Sequence, residues 1–126
     1  MTMRSYSRTL TTDASGDATD YTPSIAGRLM AIHYTKNGTT PYNNGVDFTI
    51  TNETTGMTIW AQLNVNVSTS VYPRVATHNS DGTPALYAAG GLGVLDYFPL
   101  ARHRIKIVVA NGGDTKDGSF LFVIDG

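Results

Sequence analysis

The chain of 126 residues contains no cysteine, a single glutamate (Glu53) and three lysines, Lys36, Lys106 and Lys116. Without cysteine there is no disulfide framework, no thiolate zinc site, no iron–sulfur cluster and no cysteine nucleophile. With so few straight-chain helix formers, the main local reason to form a helix is missing. The formal net charge is only −1, which lacks the basic excess of a dedicated nucleic-acid binder. No apolar run approaches the roughly 18–20 residues of a membrane-spanning helix. The first residues, MTMRSYSRTL, carry no apolar segment of a secretory signal. No membrane association and no nucleic-acid partner are expected. The length suits one domain over residues 1–126, long enough to bury roughly two-thirds of its unfolded surface.

Thr, Val, Ile, Tyr, Asn and Gly fill the space instead. β-Branched and aromatic residues suit a pleated, half-buried surface, while Gly and Asn suit turns. Val46, Phe48 and Ile50 alternate with polar residues, as do Met57, Ile59, Ala61, Leu63, Val65 and Val67, and Ile105, Ile107 and Val109 follow the same period of two. That period marks strands with one face on a core. Between Leu29 and Tyr34 two phases compete, and the more apolar set, Met30, Ile32 and Tyr34, is preferred as the inward one. Phe120–Ile124 is apolar throughout, which predicts cover on both faces. Asn-Gly pairs at 37–38 and 44–45 are hairpin signals, and Asn52–Gly56 reads as a tight hairpin. The expected strands are Arg4–Leu10, Gly27–Thr35, Val46–Thr51, Met57–Val67, Val71–Val75, Val94–Phe98, Arg104–Ala110 and Ser119–Ile124. The fold class is all-β: an antiparallel, jelly-roll-like β-sandwich.

Two segments fall outside this pattern. Thr11–Pro23 is small and polar, which suggests a loop, linker or extended arm, with residues 1–24 as an N-terminal arm. Thr77–Gly93 is a long irregular connection of the kind that is usually functional or packed on something. Within it, Ala85–Ala89 has the composition of one helical turn ended by Gly90.

No residue pattern supplies a reaction centre. His33, His78 and His103 show no metal-ligand spacing. Ser80, His78 and Asp81 are too local for a triad and lack a nucleophile elbow, so turn chemistry accounts for them. The Gly90–Gly93 segment does not complete a phosphate-binding fingerprint. Asp13, Asp17 and Asp20 lack the spacing of a calcium loop. No enzyme activity, cofactor or metal is expected. The candidates for partner contact are Arg and Tyr residues, which combine apolar area with directed polar groups. They are Arg4, Tyr6 and Arg8 at period two, Tyr21, Tyr72 with Arg74, Tyr87, and Arg102 with Arg104. Trp60 joins them because it falls on the polar side of its strand; with exposed tyrosines it would suit a carbohydrate platform.

From Tyr72 to the C-terminus the chain resembles small virion proteins of tailed bacteriophages. The resemblance rests on Y-P-R at 72–74, A-T-H-x-x-x-G from Ala76, A-L-Y-A-A-G-G from Ala85, P-L-A-x-x-R-I-K from Pro99, and N-G-G-x-x-K-x-G-x-F from Asn111. It implies a non-enzymatic structural role, foremost a capsid decoration or cement protein bound to a major capsid protein as a homodimer or homotrimer. The implied location is the virion surface after assembly in the host cytoplasm. A tail or head–tail connector component and a carbohydrate-binding module are the alternatives.

Overall fold

The computed structural model describes residues 2–126. The chain forms β1 (Met3–Thr11), β2 (Ala18–Tyr21), β3 (Ile25–Lys36), β4 (Asp47–Asn52), β5 (Thr58–Gln62), β6 (Thr69–Val71), β7 (Val75–Ala76), β8 (Leu95–Asp96), β9 (Phe98–His103), β10 (Ile105–Ala110) and β11 (Asp117–Asp125). There is no helix among the described residues. One sheet runs β1-β11-β3, with β6 and β9 both pairing the far edge of β3. The second runs β2-β10-β4-β5, and every pairing between named strands is antiparallel. The chain crosses between the sheets at most connections, from β1 to β2, β2 to β3, β3 to β4, β5 to β6, β9 to β10 and β10 to β11. The fold is an antiparallel, jelly-roll-like β-sandwich.

The period-two residues make the core. Phe48, Ile50, Ile105, Ile107 and Val109 from one sheet meet Leu29, Ile32, Phe120, Phe122 and Ile124 from the other, all essentially inaccessible to water. Each such side chain contributes on the order of 1.5–3 kcal/mol of transfer free energy. Tyr34, Tyr42, Phe48, Trp60 and Phe120 form a run of aromatic contacts with centroids 4.7–6.1 Å apart.

Three bulges explain where strict alternation misleads. The β3–β11 register shifts at Met30, so Leu29 faces the core together with Ile32 and Tyr34, while Met30 itself is only half-buried. Neither competing phase is right along the whole strand. A shift at Ile59 on β5 turns both Ile59 and Trp60 inward. A third shift leaves Arg102 unpaired on β9 with φ of 60°.

Other expectations are corrected by tertiary context. Residues 1–24 do not form an arm: β1 pairs β11, and β2, inside the supposed linker Thr11–Pro23, pairs β10. Met1 of that stretch lies outside the described residues. The strand expected over Met57–Val67 ends at Gln62, because Asn64 takes φ of 56° and the chain turns away, leaving Leu63 and Val67 exposed. Val71–Val75 is split around Pro73, which cannot donate to a ladder. Of Val94–Phe98, Leu95–Asp96 is strand in a separate stub, and Phe98 begins β9 instead. β11 is covered on its Phe120, Phe122 and Ile124 face only; Leu121 and Val123 are half-buried between β1 and β3. The Asn-Gly pairs lie in the crossing from β3 to β4 and not in two-residue hairpins. The Asn52–Gly56 turn does close a hairpin, with the Gly56 amide donating to the Asn52 carbonyl at 2.8 Å. Ala85–Ala89 forms no helical turn; the Gly91 amide bonds the Ala88 carbonyl in a reverse turn.

A projecting insertion and the cleft at its base

β6 and β9 lie end to end along β3. Val71 pairs Ile32, Phe98 pairs Leu29, and both strands run antiparallel to β3. They are two halves of one edge strand, and residues 72–97 are inserted between them at the Met30 bulge. Arg74 anchors the departure: its Nη1 donates to the Met30 carbonyl at 3.2 Å and to the Pro73 carbonyl at 2.7 Å. Its guanidinium sits 4.0 Å from the centroid of Tyr97, at the returning end of the insertion, and Arg28 approaches the same ring at 5.7 Å. The entry and exit of the insertion are thus held together by one cation–π contact.

Beyond this base the insertion is organised by its own backbone. The β7–β8 stub pairs Val75 with Asp96 and Ala76 with Leu95. Above it the Thr77 amide and Oγ1 both donate to the Val94 carbonyl, at 3.0 and 2.7 Å, while Ala85 and Val94 close onto Thr77 and Ala85. Two short turns branch from that junction. In one, Asp81 accepts the Thr83 amide at 3.0 Å and the Thr83 hydroxyl at 2.6 Å, which hold its carboxyl below the usual range. In the other, Tyr87 donates its amide to Leu92 at 3.0 Å. The expected irregular loop is therefore a branched, hydrogen-bonded hairpin. It has no core: Leu86 and Leu95 are exposed, with Tyr87 at 76% and Leu92 at 81% exposure. Several large apolar side chains exposed on one segment make it a candidate interaction surface.

A cleft of about 340 Å³ lies at the base of the insertion. The insertion contributes Val75, Ala76 and His78 to the cleft lining, β9 contributes Phe98, Pro99 and His103, and the end of β4 with the turn after it contributes Asn52, Thr55 and Met57. His103 Nδ1 lies 2.9 Å from Asn52 Nδ2. No group of three metal-ligating side chains occurs among the described residues.

The ten partner-contact candidates do not converge on one patch. Trp60 is 8% exposed, packs edge-on against Phe48 at 5.6 Å and donates Nε1 to Gln62 Oε1 at 3.1 Å. The Ile59 bulge puts it in the core, so it presents no platform to a sugar. Tyr6 is half-buried against the core. Arg8 donates to Asp20 across the sandwich at 3.0 Å. Burial opposes the charge on Asp20, but the Tyr21 amide and Arg8 outweigh it and hold its carboxyl low. Arg104 pairs Glu53 through Nε at 3.0 Å and stacks 4.2 Å above Tyr21. Arg4 and Arg102 are exposed, and Tyr72 is exposed with its ring edge-on to His33 at 6.2 Å. Only Tyr72, Arg74 and Tyr87 belong to the insertion. Sequence reasoning missed Leu86, Leu92, Leu95 and Tyr97 there. For Leu86 and Leu92 the signal was apolar residues in a Gly-rich stretch that obeys no strand period; Leu95 and Tyr97 fell within the expected strand Val94–Phe98.

No family model matches the chain, and no curated protein matches it. Among solved structures it is similar to FlhE, with 6% identity, 98% of each chain covered and a TM-score of 0.47. It is similar to the Drosophila NLP core, described for pentamer formation and histone binding, with 12% identity, 96% of this chain and 98% of that one covered, and a TM-score of 0.43. It is also similar to the C-terminal CBM6 of LamC, a marine laminarinase from Zobellia galactanivorans, with 9% identity, 98% and 100% coverage and a TM-score of 0.48.

Proposed function

We propose that the protein is a non-enzymatic virion structural protein of a tailed bacteriophage, a capsid decoration or cement protein that docks on the major capsid protein. The observation that carries the reading is the insertion at 72–97. It is a preorganised, apolar-tipped projection on an otherwise self-sufficient sandwich, and it lies in the half of the chain that resembles phage virion proteins. A rigid aromatic and aliphatic tip suits an anchor in a pocket of a partner, because little side-chain entropy is lost on docking. Beyond the β7–β8 stub, residues 77–94 carry one carboxylate, Asp81, one histidine, His78, and no Lys or Arg, so binding should depend on apolar burial more than on salt.

The test is binding of purified protein to capsids assembled without it, scored by cosedimentation and particle stability. Saturable binding lost in the Tyr87→Ser/Leu92→Ser variant is the expected result. No binding of the unaltered chain to such capsids would overturn the proposal. Binding to isolated tails or connectors alone would overturn the capsid position and point to the head–tail alternative.

A further inference from the structure

Four strand edges bound the two sheets, and three of them are blunted. The β6/β9 edge is interrupted by the insertion and by the Arg102 bulge. β5 is short and bulged at Ile59. β2 has four residues, set between the turn containing Gly16 and the Pro23 that follows. Such devices are how native proteins keep sheet edges from pairing. β1 is the longest and least interrupted edge: it pairs β11 over Met3–Thr11 without a register shift and contains no Pro, Gly or Lys, its charges being Arg4 and the Asp20-paired Arg8.

The register shows which groups the free edge offers. The Gly126 amide bonds the Thr2 carbonyl and the Thr12 amide bonds the Lys116 carbonyl, so even-numbered residues face β11 with their backbone groups. In an antiparallel ladder the alternate residues point the other way. Met3, Ser5, Ser7, Thr9 and Thr11 therefore direct their N–H and C=O groups away from the sheet, and all five are exposed.

We infer that β1 pairs antiparallel with β1 of a second copy of this chain, about a two-fold axis at Ser7, joining the two β1 sheets into one. Ser7 is the midpoint of Met3–Thr11, so this register alone pairs the whole strand and all five outward residues, and the side chains permit it. Centring on Ser7 places Tyr6 opposite the partner's Arg8, and Arg4 opposite the partner's Leu10, with Ser5 opposite Thr9 on the outer face. Moving the axis to Tyr6 sets Arg4 against Arg8, and moving it to Arg8 sets Arg8 against itself. Like charges directly opposite destabilise a pair, whereas an arginine beside a tyrosine ring is attracted to it. This inference does not depend on the virion reading.

The full chain measured by light scattering over a concentration series should pass from monomer to dimer. Ser7→Pro removes only an outward N–H, which an edge strand tolerates, so this variant should stay monomeric with a nearly unchanged melting temperature. Cysteine scanning provides a second readout that needs no proline. The chain has no cysteine of its own, so a single introduced thiol links only two copies. Under copper–phenanthroline oxidation Ser7→Cys should form covalent dimers, since facing residues lie about 5.5 Å apart, within disulfide reach. Ser5→Cys alone should not, its copies being about 14 Å apart at the strand rise, while Ser5→Cys mixed with Thr9→Cys should. A chain monomeric at all concentrations, a dimer untouched by Ser7→Pro, or equal cross-linking of Ser5→Cys and Ser7→Cys would overturn the inference.

Discussion

Two glycine-rich regions of this protein are built to opposite ends. The turn cluster formed by residues 12–17, 37–46 and 111–118 is packed into the sandwich. A Cβ at Gly118 would stand 2.3 Å from the Tyr42 ring, and one at Gly112 would meet Thr12 at 2.9 Å. Tyr42 is buried and donates its hydroxyl to the Leu10 carbonyl at 2.7 Å; burial, then Tyr34 and Asp117, push its pKa far up. In the insertion, Gly82 and Gly90 have open space where a Cβ would go, and Tyr87 is exposed. Gly16, Gly112, Gly113 and Gly118 of the cluster stand where a Cβ would come within 3 Å of a neighbour, while Gly82 and Gly90 of the insertion supply only the positive φ of a turn, 87° and 70°. The difference lies in what surrounds the chain, since both regions draw on Gly, Asn, Thr and Tyr. One region carries stability, and the other is free to carry recognition.

Mutations can break or sharpen that contrast. The largest effect is expected for Gly118→Ala, whose φ is unremarkable, so that the clash with Tyr42 and Tyr34 is the whole cost. Overpacking of this severity costs about 3 kcal/mol, read as a drop in thermal midpoint of roughly 10 °C at this chain length. Gly82→Ala should cost about 1 kcal/mol through backbone strain alone; an equal loss at both glycines would erase the distinction.

Tyr42→Phe comes next. It removes the hydroxyl bond to the Leu10 carbonyl, which keeps its ladder partner Gly118, at a cost of about 1 kcal/mol, measurable by urea unfolding with an unchanged m-value.

A smaller effect should appear with pH. Asp117 ties β1 and the β3–β4 crossing to β11, accepting from Thr11 Oγ1 at 2.5 Å and Thr40 Oγ1 at 2.8 Å, and those hydroxyls lower its pKa. Because the folded value lies below the unfolded one, the stabilisation is complete above the ordinary aspartate value near 3.9 and is lost as pH falls through the folded value. Thermal midpoints should decline on acidification below about pH 4, and Asp117→Asn should flatten that decline. Asp20, lowered in the same direction by Tyr21 and Arg8 against burial, would account for part of what remains.

The smallest effect on stability is expected for Tyr87→Ser/Leu92→Ser. Exposed substitutions away from packed features stay within about 0.5 kcal/mol, so the unfolding midpoint should hold while partner binding is lost. A large loss of stability here would mean that the insertion packs on the sandwich more than its exposure indicates.

Much of the architecture was legible in the chain, for reasons tied to particular residues. Phe48 and Ile50, and Ile105, Ile107 and Val109, sit on regular strands whose one-sided burial writes itself as a period of two. The inward faces were misread at Met30 and Ile59, where a single extra residue reverses the face. A bulge leaves no composition signal unless glycine marks it, and neither of these two is glycine. Thr11–Pro23 was misread because a four-residue strand held by one neighbour needs little hydrophobicity of its own. Of the candidate contact residues, several arginines and tyrosines are tied to their own chain. Arg8 with Asp20, Arg74 with Tyr97, and Arg104 with Glu53 and Tyr21 are pairs between residues remote in sequence or across a turn, and spacing does not foretell them.

The chain by itself determined that the protein is all-β, because its side chains disfavour helix and repeat with strand period over most of its length. It also determined that the segment from Thr77 to Gly93 would stand outside the sheets, since that stretch obeys no strand period. Tertiary structure alone decided that β6 and β9 form one interrupted edge, that Trp60 enters the core, and that β1 is the long uninterrupted edge. Those outcomes depend on which strands become neighbours, and strand pairing joins residues far apart in the sequence whose local patterns hold no record of one another.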